Sequence, residues 1–256
     1  MSILVKDVSF YYDQKPVLQQ IGFTALPGEL LAVLGPNGAG KSTLFKCMLG
    51  LLRYNGSIRI NGKEASALSA RELAAEIAYI PQSHSQTFNF SVFDMVLMGT
   101  TAQVDLLHAP GAKQYQQAEA ALQKMNILAL AERGFEQISG GEAQLVLIAR
   151  ALAQGAKTLI MDEPTASLDY GNALHVLRQI QALTQEGYTV LFSTHNPDHA
   201  LSYAHQVLAL QDGKIAALGP SRQVITAELL NQLYGVQVSV ESFQNDKVRV
   251  CIPKFN

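Results

Sequence analysis

The octet Gly35-Pro36-Asn37-Gly38-Ala39-Gly40-Lys41-Ser42 has the G-x-x-x-x-G-K-[ST] spacing of a loop that cradles phosphate. Its glycines lack Cβ atoms and so let successive backbone N–H groups turn inward around an anion. The helix that begins there, with Thr43 in its first turn, adds unpaired N–H groups and the positive end of its dipole. Lys41 is placed to reach the β- and γ-phosphates of a nucleoside triphosphate, and the Ser42 hydroxyl to ligate Mg²⁺. A second cluster, Thr158-Leu159-Ile160-Met161-Asp162-Glu163, is an apolar run that ends in two acids. Ligands of open α/β sheets bind at such strand ends. Asp162 is expected to hold Mg²⁺ directly or through water, and Glu163 to polarise the water that attacks the γ-phosphate.

These groups need a scaffold, and the flanking pattern supplies one. Leu30 to Leu34 reads as a buried strand and Thr43 to Leu49 as the helix after the loop. From Met1 to about Asn61, alternating runs and the Asn55-Gly56 and Asn61-Gly62 turns predict antiparallel strands beside the phosphate-loop strand. Between about Ser83 and Gln154 the pattern turns helical. Ser91 and Asp94 form a candidate capping box ahead of residues 92–98, and Leu145, Ile148, Ala149 and Leu152 make a helical stripe. Apolar strands then alternate with helices: 158–161, helix 172–185, 188–192 and 207–210. That alternation predicts a parallel sheet covered by helices.

Composition narrows the class. The chain has 256 residues, 48% of them hydrophobic, enough for one sizeable core. Its 19 Lys and Arg against 21 Asp and Glu give a net charge of −2 with no basic block, so no nucleic-acid partner is expected. Two cysteines, Cys47 and Cys251, indicate neither a disulfide framework nor a metal cluster. No secretory leader and no apolar run of about 18 residues is visible, so no membrane span is expected.

Ile138-Ser139-Gly140-Gly141-Glu142, starting 24 residues before Asp162, resembles the Leu-Ser-Gly-Gly-Gln signature loop of ATP-binding-cassette (ABC) ATPases, with Ile and Glu replacing the first and last residues. The resemblance covers essentially the whole chain. It implies an α/β P-loop NTPase fold: a RecA-like core with a parallel sheet, an antiparallel β-subdomain and a helical subdomain. It further implies that Ser139, Gly140, Gly141 and Glu142 contact ATP held by the other subunit of a homodimer with two shared sites. Tyr12, with Tyr11 as the other candidate, is similar to the aromatic residue that stacks on adenine. Gln82 is similar to the glutamine that senses Mg²⁺ and links core to helical lobe, Asp169 in Ser167-Leu168-Asp169 to the residue that bridges subunits, and His195 to the switch histidine on the γ-phosphate. His84, His108, His175, His199 and His205 match no motif and read as ordinary surface or packing residues.

The segment Val92 to Gly99, with Thr100 in place of the usual Arg, resembles cassettes that power importers of iron-siderophores, haem, cobalamin and molybdate. The tail from Gly219 to Val236, a short helix before a Gly-Val-x-Val strand, resembles that subfamily as well, and Ala143 stands where many members carry Arg. The implied organisation is residues 1–82 and 155–220 as catalytic core with β-subdomain, 83–154 as helical subdomain and 221–256 as tail. The implied partners are integral-membrane permease subunits, which would dock a cytoplasmic helix near Gln82 and residues 83–100, and indirectly an extracytoplasmic substrate-binding protein. The protein would then lie at the cytoplasmic face of the inner membrane. A non-transport cassette, such as the ATPase of iron–sulfur cluster assembly, is the alternative.

Overall fold

The structure, a computed structural model, describes residues 2–82, 90–103, 109–246 and 248–254. His84 and His108, and residues 83–89 of the expected docking segment, lie outside the described residues.

The chain opens with two long strands, β1 (Ile3–Tyr12) and β2 (Lys15–Ala25), followed by β3 (Leu30–Leu34) and the helix α1 (Lys41–Met48). Next come β4 (Asn55–Ile60), β5 (Lys63–Glu64), α2 (Ala70–Glu76) and β6 (Ile77–Ile80). Three helices follow, α3 (Val92–Leu97), α4 (Ala112–Lys124) and α5 (Gly140–Ala153), packed on one another. The second half alternates: β7 (Thr158–Met161), α6 (Tyr170–Gln185), β8 (Thr189–Thr194), α7 (Pro197–Tyr203), β9 (Gln206–Gln211), β10 (Lys214–Pro220). The tail holds α8 (Ser221–Val224), α9 (Ala227–Tyr234) and a hairpin of β11 (Val238–Phe243) and β12 (Val248–Pro253).

The main sheet has the order β10-β9-β3-β8-β7-β6, with all but β10 parallel. Every residue of β3, β7 and β8 is buried, because helices or a second sheet cover both faces. Successive side chains feed two different cores. Leu30, Ala32 and Leu34 face the side built by α5, α6 and α7, whereas Leu31 and Val33 face α1 and the antiparallel sheet β2-β1-β4-β5. The phosphate loop thus leaves the middle of a wall held from both sides. Beneath it, Phe45 of α1 is fully buried, and cutting it to Ala would cost about 3–5 kcal/mol. Both cysteines are free thiols; burial pushes the Cys47 thiol up to about 12, so it is an inert core residue. Among the described residues no helix is long and apolar enough to cross a membrane.

Helix starts show which termini are free for ligands. Ser91 and Asp94 form the capping box at α3, and Ser69 with Glu72 forms another at α2. Helix α1 differs. Its N-cap is Gly40 in the left-handed region (φ 104°), with no side-chain cap, so the first-turn N–H groups remain directed at the cleft.

Candidate active site

The loop's shape depends on glycine at two places. A Cβ on Gly35 would sit 2.4 Å from the Leu210 carbonyl oxygen, and one on Gly40 would sit 2.9 Å from Val17 O and from Leu18. The loop is therefore packed against β9 and β2 by close approach, with a hollow in front of it. That hollow is a cleft of about 400 Å³ lined by Val17, Asn37, Gly38, Lys41, Gln82 and Glu163, with Gly40, Ser42 and Thr43 completing the wall. Gly35 and Ala39 are buried behind it and Pro36 is half-buried.

Lys41 folds into this cradle. Its Nζ donates to the carbonyls of Gly35 at 2.7 Å and Pro36 at 3.1 Å, and lies 3.5 Å from Glu163 Oε1. Gln82, on the loop after β6, donates from Nε2 to Glu163 Oε2 at 3.1 Å, and His195 Nδ1, at the end of β8, stands 3.3 Å from the same oxygen. Three segments remote in sequence therefore converge on one carboxylate. Glu163 itself has a left-handed backbone (φ 46°), unusual for a residue with a side chain and common at functional sites.

Beside it, Asp162 is 4% exposed and held by its neighbours. Ser193 Oγ accepts from the Glu163 N–H at 2.8 Å and donates to Asp162 Oδ1 at 2.5 Å, tying the acid pair to β8. Tyr79 lies near Asp162; burial, then that carboxylate's charge, push its phenol up to about 12. Sequence reasoning passed over Ser193 and Tyr79 because neither belongs to a motif. The hard-oxygen donors Asp162 and Ser42 suit Mg²⁺, and the uncapped N–H groups beside Lys41 suit a polyphosphate.

Ser139 caps α5, and Glu142 completes a capping box: Ser139 Oγ donates to Glu142 Oε2 at 2.7 Å, and the Ser139 N–H donates to the same oxygen at 2.8 Å. The two bonds hold the Glu142 carboxyl below its ordinary range, so it stays ionised. None of Ser139, Gly140, Gly141 or Glu142 lines the cleft at Lys41.

Asp169 caps α6, accepting from Asn172 N at 2.9 Å and Asn172 Nδ2 at 2.8 Å, which lowers its carboxyl. A Cβ on Gly141 would strike Asn172 Oδ1 at 2.5 Å, so α5 and the Asp169 loop touch through Asn172, another residue outside any motif. A second hollow of about 300 Å³ links Glu163 to Leu168, Tyr170, His195 and His199, with His199 Nδ1 3.4 Å from Thr165 Oγ1. His199 therefore lies beside the site, whereas His205 accepts from the Leu30 N–H at 2.9 Å and braces β3.

Tyr12 pairs with Lys15, two residues before the cleft-lining Val17; it is exposed and packs edge-on against Phe10 at 4.8 Å. Tyr11 is exposed as well.

A sequence model of the ABC transporter family matches residues 18–166. The hemin import ATP-binding protein HmuV of Roseobacter denitrificans is 36% identical over 250 residues, covering 94% of this chain and 94% of that protein. The manganese transport system ATP-binding protein MntB of Bacillus subtilis is 39% identical over 245 residues, again covering 94% of each. A solved structure described as an inward-facing metal-chelate type ABC transporter superposes with a TM-score of 0.88 at 34% identity, over 99% of this chain and 97% of that one. The parallel sheet, the phosphate cradle and these whole-length matches agree, and the chain belongs to the ABC transporter family as an ATP-binding subunit with ATPase activity.

Proposed function

We propose that the chain hydrolyses MgATP to drive import of a metal chelate or a related metal-containing substrate, working as a homodimer under a permease. The observation that carries the hydrolytic half is the convergence of Lys41, Gln82 and His195 on Glu163 in front of the uncapped α1. The backbone N–H groups from Gly38 to Ser42, the Lys41 charge and Thr43 hold the phosphates; Tyr12, or Tyr11, stacks on the adenine. Ser42 and Asp162, with Gln82 nearby, would hold Mg²⁺. When bound, the ion neutralises charge on the β- and γ-phosphoryl oxygens. Glu163 accepts the proton of the attacking water as the bond between the γ-phosphorus and its bridging oxygen breaks, leaving ADP and phosphate, and His195 steadies the γ-phosphate.

The signature residues Ser139, Gly140, Gly141 and Glu142 stand apart from the cleft of their own chain. The capping box engages the N–H groups of Ser139 and Glu142 and leaves those of Gly140 and Gly141 at the helix start to meet an anion, so two copies arranged head to tail complete two nucleotide sites, with Asp169 bridging them. Residues 1–82 and 155–220 then act as the catalytic core with its β-subdomain, 83–154 as the helical subdomain and 221–256 as the tail. The permease helix docks near Gln82 and the segment through residue 100, and an extracytoplasmic binding protein delivers the cargo. The protein sits at the cytoplasmic face of the inner membrane. Cargo class rests on the relatives named above for hemin and manganese and on the metal-chelate type neighbour; the ATPase itself never touches cargo.

Co-expression with a candidate permease tests this reading. The chain alone is expected to be monomeric without nucleotide and weakly active, by light scattering and phosphate release, and to copurify with the permease as a two-fold pair of higher activity. A tight nucleotide-independent dimer, or copurification with iron–sulfur assembly proteins instead, would overturn it.

A further inference from the structure

The tail is bonded to α7, the helix that begins two residues after His195. Asp198 stands in the first turn of α7, three residues after His195, and its Oδ1 accepts the backbone N–H of Cys251 at 2.8 Å. Cys251 lies 53 residues further along the chain, on β12. Among the described residues that strand has one ladder partner, β11, and the N–H of Cys251 is directed to α7 on its other edge. The same turn is tied to the His195 segment from the other side, since Asn196 Oδ1 accepts from the N–H groups of Asp198 at 2.9 Å and His199 at 3.3 Å.

The hairpin is itself anchored. Arg249 Nη1 donates to the Arg222 carbonyl at 2.8 Å, Arg249 Nε donates to Asp246 Oδ1 at 2.6 Å, and Arg222 Nη1 donates to the Asp246 carbonyl at 2.6 Å. Asp246 is held down to about 2 by Arg249 first, then by Ser242, so this clasp stays charged across the physiological range. Tyr234, the last residue of α9, packs against the core of the main sheet. Among the described residues its buried hydroxyl has no hydrogen-bond partner, and burial first, then the Glu163 charge, raises its phenol.

We propose that the tail, residues 221–254, positions His195: the Cys251–Asp198 bond fixes the first turn of α7, and Asn196 passes that constraint to the histidine. This rests on the reading of Glu163 and His195 given above. A hydrogen bond from a backbone N–H to a carboxylate is among the stronger kinds, and small displacements of a group that must meet a reacting phosphate cost rate rather than affinity. Asp198 and Cys251 are positioning residues and touch no substrate.

Steady-state hydrolysis against ATP concentration tests it. Asp198→Ala is expected to lower kcat about tenfold while the KM for ATP stays within about twofold, because the phosphate loop and the adenine-side aromatics are untouched. Asp198→Asn keeps an acceptor oxygen and is expected to stay within about twofold of wild type. If Asp198→Ala does not fold, Cys251→Pro carries the same test from the tail side. It deletes the donor on the open edge of β12, where proline is tolerated, and the same kcat loss is expected. A kcat within about twofold of wild type for Asp198→Ala or Cys251→Pro overturns the proposal, and so does Asp198→Asn losing as much as Asp198→Ala. His195→Ala separates the two failures: if it hydrolyses at the wild-type rate, the reading of the site is wrong; if it is slow while Asp198→Ala is not, only the tail's role is wrong.

Discussion

Glu163→Gln is expected to bind ATP and almost stop hydrolysing it, losing about 100-fold or more in turnover. The amide keeps the size of the carboxylate and can still meet Gln82 and His195, which stand 3.1 and 3.3 Å from Oε2. It cannot accept the proton of the attacking water, and it removes the charge that faces Lys41 at 3.5 Å. Lys41 is then free to follow the phosphates, so nucleotide affinity is expected to hold or rise. With hydrolysis stalled, the two chains are expected to remain closed on two ATP molecules, giving a stable dimer on gel filtration. Ser139→Arg in the same background places bulk and charge against the partner's nucleotide and should abolish that dimer. Wild-type turnover by Glu163→Gln would remove Glu163 from the chemistry; a stalled variant that never dimerises would leave the chemistry and overturn the shared geometry.

Lys41→Ala is expected to cut phosphate release by about 100-fold or more, because the ammonium acts most strongly where charge shifts onto the transferred phosphoryl group. The fold should survive the change. The cradle is shaped by the close backbone approach of Gly35 to Leu210 and of Gly40 to Val17, and the lysine's own bonds go to loop carbonyls that water can satisfy after its loss. A melting curve close to wild type with near-zero turnover is the predicted pair of results; near-normal turnover would take Lys41 out of the mechanism.

What could be read from the sequence is what depends on neighbours in the chain. The strand Leu30–Leu34, the loop after it, the capping box at Ser91 and Asp94 and the alternating second half are local patterns, and the structure has them. Strand β2 is not legible in the sequence, for a physical reason. Its inward residues, Leu18, Ile21, Phe23 and Ala25, break the two-residue period, and irregular pairing with β1 together with Gln20 at φ 52° resets the alternation. The hairpin β11–β12 is half legible: a strand after the α9 region follows from the resemblance of the tail, and its partner does not. The turn between them runs through Gln244, Asn245 and Asp246, all with positive φ, a feature that Asn and Asp adopt readily but that their types alone do not announce.

The same contrast holds at the site. Motif residues could be picked by spacing, and Lys41, Gln82, Glu163 and His195 are gathered in one place. Ser193, Tyr79, Asn172 and Asp198 could not, because each acts through a contact with a segment distant in sequence: Ser193 with Asp162, Tyr79 with Asp162, Asn172 with Gly141, Asp198 with Cys251. Residues of that kind become visible only when the sheet order brings their segments together. Glu142, which replaces the usual glutamine, forms a capping box with Ser139, a role that glutamine fills as well, so the box does not explain the exchange. Ala143 and Thr100 have no structural reason beyond local packing: Ala143 rests against the core, and the Thr100 hydroxyl donates to the Leu97 carbonyl at 2.8 Å.

Mixing two inactive variants tests the central claim, that each nucleotide site is built from two copies, most directly. Lys41→Ala spoils the phosphate loop and leaves the signature loop intact, and Ser139→Arg does the reverse. If the sites are shared, a dimer with one chain of each kind contains one wholly native site, formed by the phosphate loop of the Ser139→Arg chain and the signature loop of the Lys41→Ala chain. An equal mixture should then recover about a quarter of wild-type phosphate release, since half the dimers are mixed and half their sites are native. A mixture that stays as inactive as either parent at every ratio would contradict the account.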